Sequence, residues 1–196
     1  MTTLSAALLL FLVMDPLGNI PLFLTTLKKV DEKRQRIVVI RELVAALVIL
    51  IAFLFAGRYI LDLLHLTETA LTTAGGIILM IIAIRMIFPS RDRSLQEDFE
   101  GEPFIVPLAI PYVAGPSAMA TSLLMMSREP ERWADWLLAL LIAWAVSALI
   151  IYFASYFSRF LGEKGLIALE RLMGMLLVTV AVQMLLTGIR DFIQSP

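Results

Sequence analysis

Cysteine is missing altogether from the 196 residues, and histidine occurs once, at His65. The first absence excludes disulfide frameworks, thiol nucleophiles and zinc–thiolate sites, and the second excludes a histidine cluster. No metal and no cofactor is therefore expected. Charge is scarce as well, at 17% of residues with a net −1. In an apolar chain the placement of charge matters more than its sum, and no nucleic-acid partner is expected. What is abundant is apolar: 60% of residues are hydrophobic and the mean hydropathy is +0.88. A soluble domain sits well below that. The chain reads as an all-α polytopic membrane protein whose constant partner is the lipid bilayer.

Apolar stretches long enough to cross about 30 Å of hydrocarbon fall at Leu4 to Leu27, Val38 to Leu64, Ala70 to Phe88, Phe104 to Met126, Trp133 to Phe157 and Leu166 to Ile189. Six transmembrane helices are predicted. The first has no basic lead, short apolar core or small-residue cleavage site, so it is expected to stay as a span. The polar stretch PSRDRSLQEDFEGEP separates the third span from the fourth. It divides the chain into a three-helix unit at 1–88, a cytoplasmic linker at 89–103 and a second three-helix unit at 104–196. Twelve of the 16 basic residues, including Lys33, Arg41, Arg85 and Arg171, fall on one side of this arrangement. The positive-inside rule makes that side cytoplasmic and puts both termini outside.

The two units look like copies. Gly76, Ala83 and Met86 of the third span recur 98 positions later as Gly174, Ala181 and Met184 of the sixth, and Phe55-Ala56 recurs as Phe153-Ala154. Pro16 and Pro21 pair with Pro111 and Pro116 at an offset of 95. Each unit has an odd number of spans, so the second copy must be inserted upside down. Inverted repeats with interrupted hydrophobic segments at matching positions point to a carrier with its site near the bilayer midplane.

The interruptions carry the site residues. Proline inside a helix deletes a hydrogen bond and clashes with the preceding turn, at roughly 3 kcal/mol or more, and a carboxylate at bilayer depth costs about 2.5–3.5 kcal/mol on insertion scales. The first span nevertheless contains Asp15, Pro16, Gly18, Asn19 and Pro21. The fourth contains Pro111, Ala114, Gly115, Pro116 and Ser117. Broken helices expose amide donors and carbonyl acceptors that need partners. Helix amino ends favour a carboxylate and carboxyl ends a cation, so two facing breaks suit a zwitterionic solute. The plain structural reading makes the prolines kinks, uses Gly18 and Gly115 for close packing and bonds Asp15 to neighbouring backbone. Desolvation favours a neutral carboxyl group, which makes Asp15 the candidate for a coupling proton, with sodium as the other coupling ion. Gly75 and Gly76, beside Thr72 and Thr73, form a small-residue patch that serves either helix packing or ligand contact. Arg85 reads as a snorkelling residue, Gln183 as a packing hydrogen bonder, and the methionines as apolar filler.

The segments MDPLGNIPLF, GGIILMIIAIRMIFPS, EPFIVPLAIPYVAGPSAMAT and LERLMGMLLVTVAVQM resemble the MarC family of bacterial inner-membrane proteins, in particular its YhgN-like branch. The resemblance spans nearly the whole chain. It implies a multi-pass inner-membrane protein, similar to the LysE superfamily with its inverted three-helix repeats. It also implies carriage of small neutral amino acids such as glycine or alanine, as in the SnatA-type members. Alternatives are an exporter of drugs or other small metabolites and a membrane subunit that transports nothing. An intramembrane enzyme is not expected, because Asp15 has no evident acidic partner at its depth and His65 cannot serve Ser117.

Overall fold

A computed structural model describes residues 1–27, 30–88, 104–106 and 108–194; the linker predicted at 89–103 lies outside them, as do Lys28, Lys29, Pro107 and the last two residues. The described residues form helices α1 (Thr3–Met14), α2 (Pro16–Leu27), α3 (Glu32–Leu64), α4 (Glu68–Ile87), α5 (Pro116–Arg128), α6 (Trp133–Tyr152) and α7 (Ala154–Gln194). A π-helical turn at Leu108–Val113 precedes α5, and a 3₁₀ turn at Pro130–Arg132 precedes α6. Among these residues there is no strand, beyond an isolated bridge between Phe104 and Val106.

Among the described residues, five segments are long and apolar enough to cross a bilayer: Thr3–Leu27, Glu32–Gly57, Glu68–Ile87, Pro130–Tyr152 and Lys164–Gln194. The span predicted at Phe104 to Met126 is not among them. Its first part is a single π turn and its helical part, α5, has 13 residues, about 20 Å at 1.5 Å per residue. Other boundaries shift too. The second span, α3, begins at Glu32, where the Asp31 carboxylate caps it by accepting from the Lys33 amide. The fifth ends at Tyr152, so Phe153-Ala154 is a helix junction while Phe55-Ala56 lies inside α3. The sequence pairing of those two dipeptides has no counterpart in their structural roles. Helix α7 carries a kink at Gly162, where φ is +66°.

The halves interlock rather than sit side by side. Helices α1 and α2 pack on α6 while the π turn and α5 pack on α3, and α2 packs on α7 while α5 packs on α4. Trp144 of α6 donates its indole N–H to the Leu43 carbonyl of α3 at 2.8 Å. The seam between α4 and α7 is the tightest. A Cβ on Gly76 would lie 3.1 Å from the Ala181 carbonyl and 3.1 Å from the Met184 Cβ; one on Gly174 would lie 3.1 Å from the Ala83 carbonyl and 3.1 Å from the Met86 Cβ. Each contact is thus made twice with partners exchanged at the sequence offset of 98, which makes the two helices antiparallel across a local two-fold. Close backbone approach through small residues is how helices adhere in lipid, where hydrophobic burial supplies no drive between them. Valine at Gly76 must push a backbone carbonyl, and we expect it to lower stability by roughly 1–3 kcal/mol, as overpacking does. Thermal unfolding in detergent checks this, with Gly76→Ala predicted to fall between valine and the parent.

The outer surface is apolar. Ile77, Ile81 and Ile84 of α4 and Leu172, Leu176 and Leu186 of α7 are all exposed. So broad an apolar exterior suits contact with acyl chains and not with water.

Candidate functional site

The first break is one residue long. Asp15 takes a left-handed conformation (φ +44°, ψ +57°), ending α1 as its C-cap with its amide donating to the Leu12 and Phe11 carbonyls. Its carboxylate then accepts from the Gly18 amide at 3.2 Å, as an N-cap does for the helix that follows. Pro16 is the first residue of α2, where a missing N–H is no loss. Helices α1 and α2 have 12 residues each, about 18 Å, so the joint lies near the middle of the span. Pro21 does not break anything: it sits within α2, half-exposed.

The second break occupies a longer stretch. Ile110 is extended (φ −122°, ψ +128°) inside the π turn, the Ile110–Pro111 peptide is cis, and Gly115 is the extended N-cap of α5. Pro116 is the first residue of α5, as Pro16 is of α2. By role, Pro16 therefore corresponds to Pro116, whereas the sequence offset of 95 pairs it with Pro111. Pro111 and Pro116 are exposed, and Ala114 and Ser117 are buried. A Cβ on Gly115 would come within 2.9 Å of the Pro111 carbonyl, so glycine is required there for the chain to fold back on itself.

The two breaks meet through Asn19. Its carboxamide N–H₂ donates to the Met14 carbonyl at 3.0 Å and to the Tyr112 carbonyl at 2.6 Å. One side chain thus satisfies a carbonyl freed by each interruption, and the Phe23 ring lies against Tyr112 at 6.2 Å between centroids. At the breaks the Asn19 side chain thus caps one carbonyl on each side, and the Asp15 carboxylate caps the Gly18 amide. Ser117 extends the contact to the small-residue patch by donating to the Gly75 carbonyl at 3.3 Å. Gly18 faces the Met86 methyl of α4 closely enough that any Cβ would collide with it and with the Asp15 carboxylate. Asp15, Gly18, Asn19, Ala114, Ser117, Gly75 and Gly76 are all buried. Pro21, Pro111 and Pro116 lie outside this cluster.

Two features escape the sequence reading. Glu42 of α3 is fully buried, with one carboxylate oxygen accepting from the Arg41 guanidinium at 2.8 and 2.9 Å and the other without a hydrogen-bond partner. Its signal is an acid inside the span predicted at Val38 to Leu64, masked by the basic run that ends at Arg41. The other feature is a cavity of about 450 Å³ at the end of the bundle where Met1 lies, between α4, α5, α6 and α7. Thr72 and Thr121 line it, one helical turn from Gly75–Gly76 and Ser117, as do Thr179, Gln183 and Thr187 of α7. Those three recur every fourth residue, a polar stripe along one face of an apolar helix. None of the residues predicted from the breaks lines this cavity. Among the described residues no group of acids and histidine is placed to hold a metal.

With this geometry in view, comparison with known proteins identifies the lineage. A family model described as "MarC family integral membrane protein" matches residues 1–193. The chain belongs to the MarC family. This MarC-family chain is 50% identical over 193 residues, 98% of each, to the "UPF0056 inner membrane protein YhgN" of Escherichia coli strain K12. It is 47% identical over 192 residues to a "UPF0056 membrane protein" of Buchnera aphidicola subsp. Schizaphis graminum, again with 98% of each chain covered. A similarly described protein of Chlamydia pneumoniae is 34% identical over 187 residues, 95% of this chain and 93% of that one. No solved structure matches. The protein is an integral membrane protein, as its family description states, and the several apolar helices of the structure agree with that.

Proposed function

We propose that this MarC-family protein is a secondary transporter of small neutral amino acids such as glycine or alanine, built as two inverted three-segment repeats and working by alternating access in the inner membrane. The fourth segment then crosses as the π turn and α5 together, as the first crosses as α1 and α2. The reading is supported by the reciprocal packing of Gly76 and Gly174 and by the exchanged packing of the half-helices. The observation that carries it is the Asn19 carboxamide held between the Met14 and Tyr112 carbonyls. A carboxamide clasp between two interrupted helices can be exchanged for a solute ammonium group, which offers the same carbonyls donors of its own. Asp15 and a proton or sodium ion are the coupling elements of this scheme, and both termini face outward.

Purified protein in liposomes is expected to move labelled glycine or alanine under a proton or sodium gradient. Failure with both solutes in both directions would reject the reading. Gly115→Val, which must displace the Pro111 carbonyl, is expected to cut transport at least tenfold in protein that still purifies as a monodisperse species; unchanged transport would place the path elsewhere.

A further inference from the structure

The cavity beside Met1 has no part in the scheme above. Its wall combines apolar Leu9, Leu124 and Trp136 with the hydroxyls of Thr72, Thr121, Thr179 and Thr187 and the Gln183 carboxamide. Arg128 and Glu129 stand at its rim. Polar side chains facing hydrocarbon are costly, and within membrane spans such groups turn to protein or to water-filled cavities. Thr179 satisfies itself on the Met175 carbonyl, and Gln183 donates to the Thr187 hydroxyl at 3.3 Å. The Gln183 and Thr179 side chains are nevertheless exposed. The stripe therefore borders open space in which its remaining donors and acceptors can meet water or a solute. An open recess of this size, mostly apolar with a few convergent polar groups, is the form that many small-molecule sites take.

We propose that the cavity is a water-filled vestibule that binds a neutral amino acid with an apolar side chain, the aliphatic part against Leu124 and Trp136 and the polar end toward the Thr179–Gln183–Thr187 stripe. Arg128 and Glu129 stand at the rim as paired charges, Glu129 held by Arg132 at 2.8 Å. Arg128 is tethered there by Asp191 of α7 at 3.0 Å and by Glu68 of α4 at 3.9 Å, so the entrance is framed by three helices. Thr72 lies one turn from Gly76 and Thr121 one turn from Ser117, which places the floor of the vestibule next to the paired breaks. This inference rests on the carrier reading for its role but not for its test.

The natural absence of cysteine permits that test without background. Single substitutions Thr179→Cys, Gln183→Cys and Thr187→Cys, with Val182→Cys and Leu186→Cys on the apolar face of α7 as controls, are exposed to a charged, membrane-impermeant maleimide in sealed vesicles of both orientations. The three stripe positions are expected to label at least tenfold faster than the controls, from the side of the membrane that carries the termini, and alanine or leucine is expected to slow them severalfold. Equal rates at stripe and control positions would overturn the vestibule. Labelling that neither amino acid slows would overturn the ligand class, and a disulfide-linked dimer through Gln183→Cys would put a second copy of the chain there instead. Protected labelling in a protein that fails to transport in liposomes would keep the site and reject the carrier.

Discussion

Replacing Asn19 with leucine is expected to destabilise the folded protein by about 2–4 kcal/mol and to abolish the proposed transport. The side chain is buried and its two N–H donors are shared between the Met14 and Tyr112 carbonyls. Leucine fills a similar volume but leaves both acceptors without a donor, and each orphaned buried carbonyl costs about 1–3 kcal/mol. The lower half of the summed range applies because Tyr112 is only half-buried and water can reach it. Asn19→Asp separates donor loss from shape: it keeps the outline, lacks the donors and faces two carbonyls with an oxygen, so it should fall at least as far. Thermal unfolding in detergent, read beside liposome flux, checks both halves of the expectation. A leucine variant as stable as the parent would show that the two breaks are held together by something other than this clasp.

The second large effect is expected at Arg41. Its guanidinium reaches one oxygen of the fully buried Glu42 through two N–H groups and lies over the Phe104 ring at 5.1 Å. Arg41→Leu leaves a carboxylate at membrane depth without its cation, and removing one partner of a buried pair costs about 3–5 kcal/mol. Arg41 is about one-third exposed, which screens part of the interaction and brings the expected loss to roughly 3 kcal/mol. Removing both charges in Arg41→Leu/Glu42→Leu should recover most of that loss, because an apolar pair in the same space needs no desolvation. A double variant no more stable than Arg41→Leu would indicate that Glu42 is held by groups other than Arg41.

Sequence carries the membrane class and the approximate positions of the helices, because long apolar runs are dictated by bilayer thickness and little else produces them. It also carries the Gly76–Gly174 relation, since close packing of two backbones admits only the smallest residue and leaves a mark at both sites. The fourth span does not form one continuous helix, because hydropathy counts side chains and ignores whether the backbone can close its hydrogen bonds. Phe104 to Met126 is apolar enough, yet Pro111, Gly115 and Pro116 divide it into a turn and a short helix. Of the residues singled out at the breaks, Asp15 bonds Gly18, Asn19 bonds the Tyr112 carbonyl of the other break, and Ser117 bonds Gly75. Pro21, Pro111 and Pro116 face more outward, because proline marks where a helix starts or bends and says nothing of which way it faces. Asn19 reads in sequence as one polar residue among several, and its bridging role depends on where the Tyr112 carbonyl sits, 93 positions away. Glu42 and the Thr179–Gln183–Thr187 stripe are visible as polar residues in apolar helices, but which way each one faces depends on helix packing that the sequence alone does not display.

The seam between α4 and α7 sets a mechanical condition on whatever motion the protein performs. Backbone touches backbone at two points, at Gly76 and at Gly174, so neither helix can slide past the other without a carbonyl striking a neighbouring chain. Helices α1 and α2, by contrast, share a joint of a single residue at Asp15. A change of angle therefore needs less rearrangement at that joint than at the glycine seam.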